Sequence, residues 1–460
     1  MRWLAVLPAP LLVLAAAAAA QDLAPVVFTA TRLPTPADQI AAGVTVIDRA
    51  TIEARGYTTL GEALAAVPGM HLSPSGGPGA QASLFVRGTN GNDVLVLRDG
   101  VPVNDASDPT GAFDFGGQML VDVERIEVIR GPLSGLYGSG AVGGVVNIIS
   151  RRGQGTPTAS LSAGAGAPFA SLGAASLSGQ SGRFDYALGL EGQFDTGFDV
   201  TPRREASVYT GERDGFRSWL GALQLGYTPS PGTRVSLILR SQRATAGYDN
   251  TGYPAFDDPN QTAWHADWFG RLGATTVLAD GKWETGLSAA WVRGDRRYTN
   301  LLDATDPNQE RQDSTYAATK YDLQWTNTLH LPEFAATAGN ALTFGYQHTR
   351  SAAASQVAIA DFGVPYLSSV DAAENLDAGW AGLQTTLASR LTLNANLRAE
   401  GYSLAGTALT WRLGGVLALP ELASRLKASG GTAFRAPSLF ELYGRDSYGY
   451  HGNPGLQPER

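Results

Sequence analysis

Residues 184–242, FDYALGLEGQFDTGFDVTPRREASVYTGERDGFRSWLGALQLGYTPSPGTRVSLILRSQ, contain three stretches of period two, one long polar link and one tight link. Within each stretch, Leu, Val, Ala and aromatic residues alternate with Gly, Ser, Gln and Arg. A strand sends successive side chains to opposite faces, so each stretch has one apolar and one polar face. A soluble sandwich alternates in the same way. The links decide between the two. SPGT is a hairpin turn, whereas TGFDVTPRREASVYTGERDG is far longer than any strand pairing requires.

Outward from this stretch the pattern repeats. From about Thr156 to the end of the chain, thirteen alternating segments follow one another, from LSAGAG through FDYALGLEGQFD, RVSLILRSQ and YDLQWTNTLHL to LKASGGTAF. Each has roughly the 9–11 residues of a tilted membrane strand, or somewhat more. The links after even-numbered segments are mostly tight, as in GQSGR, SPGT, ADGK and ASR, with PEFAATAGN a little longer. The links after the third, fifth, seventh and ninth segments are long and polar. A sandwich has no reason to sort its loops by parity, but an outer-membrane barrel has short turns on one side and long loops on the other. The expected fold is therefore a transmembrane antiparallel β-barrel. Bacterial barrels close with an even number of strands, and an open edge leaves backbone groups unpaired in lipid. Thirteen strands ending on the long-loop side predict that this is part of a longer barrel.

The region before the barrel has a different texture. Arg2 and the apolar run from Trp3 to Ala20 read as a secretory signal peptide, residues 1–20. Residues 21–36 form a proline-punctuated extended lead, in which Pro25, Pro34 and Pro36 exclude a helix. Residues 37–153 form a compact mixed α/β unit. There ATIEARGYTTLGEALAAVPGM reads as one helical stretch ending at Pro68-Gly69, and SLFVRG, VLVLRDG, RIEVIRG and GVVNIIS read as short strands. Residues 154–460 are the barrel region.

Composition narrows the function classes. With no cysteine, the chain has no disulfide scaffold and no thiolate metal site. A formal net charge of -8 argues against a nucleic-acid partner. The five histidines, at 71, 265, 330, 348 and 451, lack ligand spacing, and no local nucleophile–base signature marks an enzyme. Gly131, Gly138, Gly140, Gly143 and Gly144 are dense in one stretch, but no Lys-Ser/Thr follows as in a phosphate cradle, so they read as tight turns.

Several ordered motifs resemble the TonB-dependent outer-membrane receptors. LGEALAAVPGM (60–70), LFVRGTNGNDVLVLRDGVPVND (84–105) and VERIEVIRGPLSGLYGSGAVGGVVNIISRR (123–152) resemble the plug domain of that family. FRAPSLFELYG and GNPGLQPER, within 434–460, resemble a mid-barrel signature. The resemblance implies a 22-stranded barrel, of which about 13 strands are present here, enclosing an N-terminal mixed α/β plug. It implies that Pro25, Val26, Val27, Phe28, Thr29 and Ala30 form the TonB box, the strand that pairs with the inner-membrane energy-coupling protein TonB. It implies that Arg87, Glu124, Arg125, Glu127 and Arg130 pair at the plug–barrel boundary.

Within the family the chain is most similar to the cobalamin transporters, which implies energised import of a corrinoid. The short VVxTAxR lead, the RGTNxxxVLVLxDGVxxN run and GSGAVGGVVNIIS carry that likeness. So do GFD, ERDGF and GYD, which fall where that subgroup binds calcium and imply Asp199, Glu212, Asp214 and Asp249 as ligands. A Glu stands where the pattern has Asp. Calcium takes six to eight oxygens, and without it these acids would repel or simply be solvated. The plug loops expected to face the ligand carry Gly79, Gln81, Ser83, Asn104, Asp105, Ser107 and Phe113. They lack a basic cluster and an aromatic cage, which leans toward a corrinoid over the alternative, a siderophore or haem chelate. A passive porin or adhesin is the reading from another class.

Overall fold

The computed structural model describes residues 26–27, 29, 31–167, 169–204, 209–249, 257–302 and 309–460. The proposed signal peptide, together with Pro25, Phe28 and Ala30 of the lead, lies outside the described residues.

The wall is a single antiparallel meander of thirteen strands, each paired with its sequence neighbours. They are Thr158–Gly166, Ala170–Ser181, Phe184–Asp195, Phe216–Ser230, Thr233–Gly247, Thr262–Leu278, Trp283–Asn300, Arg311–His330, Thr337–Asp361, Val364–Leu387, Leu391–Tyr402, Gly406–Leu419 and Ser424–Gly431. All thirteen alternating segments of the sequence are strands, in order. A fourteenth, short strand, Arg445–Asp446, returns to pair with Ser368 and Ser369 of the tenth. The first and thirteenth strands are not paired with each other among the described residues, so the sheet is open.

Two expectations are corrected. Wall strands exceed a membrane span, reaching 25 residues in the ninth. The polar link after the ninth segment is consequently not a loop. It is the continuation of the ninth and tenth strands into a tall hairpin turned at Phe362-Gly363. Cross-strand backbone pairing stabilises a ladder whatever its polarity, so composition alone did not mark its end.

Alternation sorts the wall as the barrel pattern demands. Leu190, Trp219, Leu287, Leu323, Leu397 and Leu413 are exposed on the outer face. Gln242, Gln324, Gln347, Asn394 and Asn396 are buried on the inner one.

The plug has a five-stranded sheet in the order Gly43–Asp48, Val123–Arg130, Gly144–Ser150, Val94–Arg98, Val101–Pro102. The hairpin Met70–Pro74/Ala82–Val86 pairs separately. The helical stretch read from sequence as continuous is two helices, Arg49–Arg55 and Leu60–Ala65. Gly56 ends the first at φ +65°, a conformation that glycine adopts without strain. Thr59 and Glu62 start the second with reciprocal capping bonds. Leu60, Leu64, Leu84, Val96, Ile126 and Val146 fill the core between these helices and the sheet.

Candidate functional site

The loops after the third and fifth wall strands bring five carboxylates together. Oxygens of Asp199, Asp249 and Asp257 lie within 4.8 Å of one another, as do those of Glu212, Asp214 and Asp249. The four acids expected from sequence thus meet in space, and Asp257 joins them. Asp257 was missed, although AFDDPN in the same loop already held the acid. The cluster is not a solvated surface patch: Asp214, Asp249 and Asp257 are 0%, 5% and 1% exposed.

Backbone amides order part of it. Asp257 accepts from Thr210 and Gly211 N–H at 2.7 and 2.6 Å, Asp214 from Val200 at 3.2 Å and Asp249 from Asp258 at 3.1 Å. Thr201 Oγ1 donates to Asp249. Among the described residues, Oδ1 of Asp214 and Oδ1 of Asp257 are buried without a hydrogen-bond donor. A buried anionic oxygen without a partner is costly, and these two supply the kind of hard oxygen that calcium binds. Burial, and then the neighbouring acids, push Glu212 up to about 8. Burial followed by Asp249 pushes Asp214 up to about 7, and burial also raises Asp249.

The cluster rests on the plug. A Cβ added at Gly77 would meet Asp214 Cβ at 3.4 Å. Gly79, at φ +77°, sits so close to Phe216 that a Cβ would fall 1.9 Å from its ring. Of the residues expected to face a ligand, Gln81 is exposed and Ser83 half-buried. Gly79 packs against Phe216, and Asn104, Asp105 and Phe113 line a cavity between plug and wall. Asn104 accepts from Val96 N–H at 2.8 Å and donates to Val94 O at 3.1 Å. Asp105 accepts from Ser107 and pairs with Arg296 of the seventh wall strand at 2.8 Å. Phe113 packs edge-on to Phe115 against the plug core.

The lead is folded back rather than free. Val26–Val27 pairs with Thr35–Pro36, and Val27 is fully buried. Thr29 donates from N and Oγ1 to the buried Glu127 at 2.9 and 2.5 Å, and Asn147 donates to Thr29 Oγ1 at 2.8 Å.

The charge cluster expected at the plug–barrel boundary therefore sits elsewhere. Arg125 pairs with Glu127 at 2.8 Å within one plug strand, which also carries Glu124. Arg130 donates to Pro68 O and to Thr45, and lies with Arg87 beside Gly43. The boundary is held instead by Asp122, which accepts from Arg98 of the plug at 2.7 Å and lies 3.3 Å from Arg240 of the fifth wall strand. Asp105–Arg296 adds a second tie, as does Lys320, which donates to Pro102 O and Asn104 O at 3.3 and 3.2 Å. Arg240 and Arg296 stood in ordinary alternating strands and Arg98 at the end of an apolar plug strand, with no sequence signal to mark their partners.

Comparison with known proteins gives this arrangement its class. Residues 36–145 match the TonB-dependent receptor plug domain. Residues 176–460, more than half of the chain, match the TonB-dependent receptor-like β-barrel. The chain belongs to the TonB-dependent receptors, a family of outer-membrane transport proteins. Among solved structures it is similar to the ferric yersiniabactin uptake receptor of Yersinia pestis, at 18% identity and a TM-score of 0.66, over 88% of this chain and 61% of that one. It is similar to the ferric citrate transporter in its unliganded form, at 15% and 0.72, over 91% of this chain and 67% of that one. A third is the ferric enterobactin receptor of Pseudomonas aeruginosa, a mutant bound to enterobactin, at 20% and 0.66, over 91% and 68%. The chain thus spans about two thirds of the length of these proteins, 61% in the first.

Proposed function

We propose that this receptor binds a bulky metal chelate above its plug and imports it across the outer membrane, with energy supplied by TonB through the lead segment. The observation that carries the reading is a folded plug tied to the inner face of a membrane wall, with a strand-forming lead at its start. As cargo we favour a ferric chelate, because the three solved relatives named above are ferric-chelate receptors. Aromatic pairs beside the tall hairpin support it: Tyr366–Tyr448 and Phe440–Tyr450, each with ring centroids 5.4 Å apart. A corrinoid is the second reading, supported by the meeting of Asp199, Glu212, Asp214 and Asp249. Calorimetric titration of the receptor with a panel of ferric siderophores and with cyanocobalamin tests both. Binding of a ferric siderophore alone would remove the corrinoid, and binding of cyanocobalamin alone would remove the ferric chelate.

We further propose that the acid cluster holds calcium, with Asp199, Glu212, Asp214, Asp249 and Asp257 as ligands. The metal-free loops then have a pH dependence of defined sign. Carboxyls raised above their unfolded values bind more protons when the loops are ordered. Order is therefore fullest near pH 4 and is lost as pH rises through about 7 for Asp214 and about 8 for Glu212. Proteolysis within 196–215 should accelerate from pH 5 to pH 8 in chelator, and calcium should suppress that rise. A rate indifferent to pH and calcium would remove the metal.

A further inference from the structure

The outer face of wall strands three to five carries an apolar band with two defined edges. Leu188, Leu190, Leu225 and Leu239 are exposed within it. At the short-turn end, Phe184 stacks on Tyr227 with ring centroids 4.7 Å apart. At the long-loop end, the exposed Trp219 lies over Gly192, where a Cβ would fall 2.5 Å from its ring. Trp219 to Tyr227 spans nine residues of wall strand four, the length a tilted strand needs to cross the hydrocarbon. Aromatic residues mark both interfaces of such a barrel, and its long loops face the cell exterior. Trp219 therefore stands at the outer-leaflet interface.

Two arginines stand beside it. Arg217 is two residues nearer the loop on the same outward face, and Arg243 is the cross-strand partner of Trp219 on strand five. Both side chains are exposed. Arg217 pairs in register with Thr245, so Arg217 and Arg243 are diagonal neighbours. Diagonal neighbours are about 7–8 Å apart, within reach of long side chains. Neither guanidinium has an ion-pair or hydrogen-bond partner among the described residues. The outward positions from Phe184 to Phe194, from Arg217 to Tyr227 and from Val235 to Thr245 hold no acid. Strands seven and eight differ. There both oxygens of Asp295 accept from Arg293 at 2.8 and 2.9 Å, and both of Asp313 accept from Arg297 at 3.0 Å. Outward arginines on those strands are neutralised by the wall itself.

We infer that Arg217 and Arg243 hold the phosphate of an outer-leaflet lipid, whose acyl chains lie below it against Trp219, Leu190, Leu225 and Leu239. Two neighbouring guanidiniums without a counter-ion repel. A phosphate between them accepts from both, each through a planar fork of donors. The ring and the apolar band directly beneath suit a phosphate that carries hydrocarbon rather than a free ion. Arg217 follows Phe216, which lies against Gly79 and Gly117 of the plug. Lipid and plug thus grip one strand end from its two faces. The inference rests on the membrane wall and is independent of the cargo.

The test is native mass spectrometry of the receptor in neutral detergent, with an unchanged heat-dependent gel shift as the folding control. Two lipids are offered: an acylated glucosamine disaccharide bisphosphate, and the same lipid with its phosphates removed. The parent should retain the phosphorylated lipid at about thirty-fold lower concentration, as two arginines near an anionic surface provide. Arg217→Gln with Arg243→Gln should erase that preference. Arg293→Gln, which removes a charge already paired with Asp295, should leave it. Should the double variant fail the folding control, each single variant should lower the preference about five-fold. Equal retention of the two lipids by the parent, or a preference that survives these substitutions, would overturn the inference. A preference lost equally in Arg293→Gln would also overturn it, as an effect of overall charge. Displacement of the lipid by millimolar inorganic phosphate would overturn it in favour of a site for a free anion.

Discussion

Val26→Pro is expected to abolish energised uptake while leaving cargo binding at the cell surface close to that of the parent. The segment proposed to couple to TonB must present its backbone as a strand edge, and proline removes a donor and fixes φ. In a strand such a proline removes a ladder hydrogen bond, and the partner left unsatisfied costs about 1–3 kcal/mol, or about five- to a hundred-fold in association. Val26 suits the test because its side chain is 54% exposed, whereas Val27 is buried among Ile40, Leu97 and Val145 and would perturb the plug itself. Surface binding is measured on whole cells in the cold and uptake after warming. Uptake at the parental rate would mean that the coupling strand lies elsewhere.

Chelating calcium is the second large effect. On the calcium proposal, the metal would tie the two loops together over Gly77 and Gly79 of the plug; without it, the five clustered acids repel across the same gap. A ligand that docks on preformed loops is spared the ordering of their side chains, about 0.5–1.5 kcal/mol each. Two or three such side chains make affinity fall about ten- to a hundred-fold in chelator. Asp199→Ala with Asp214→Ala should reproduce the loss and abolish the calcium dependence. Adding Asp257→Ala should deepen the loss little once the metal is gone. Equal affinities with calcium and with chelator would leave these acids as loop braces. The measurement is calorimetry with whichever chelate or corrinoid the receptor binds.

The candidate site was legible only in part. Asp199, Glu212, Asp214 and Asp249 could be picked out because short acidic motifs sit in two loops of a recognisable family. Asp257 carried no motif, and its place depends on how the loop from Tyr248 turns back. The ties of Asn104, Asp105 and Ser107 were not legible because sequence names a polar group and not its partner. Ser107 bonds Asp105 within the loop, but Val94, Val96 and Arg296, the partners of Asn104 and Asp105, come from other elements.

What the sequence determined by itself was the membrane wall and its order. Alternation fixes which face of each strand meets lipid, and a meander pairs each strand with the next, so local pattern and turn length were sufficient for all thirteen. The division into lead, plug and wall followed from texture, and the plug strands from their short apolar runs. Only the tertiary structure decided where the plug is fastened. Arg240, Arg296 and Arg398 occupy equivalent inward positions on alternating strands. The first two pair with plug carboxylates and the third with its own neighbour on the wall. That difference depends on which plug loop each inward position faces, a relation between residues one to three hundred positions apart that strand periodicity does not encode.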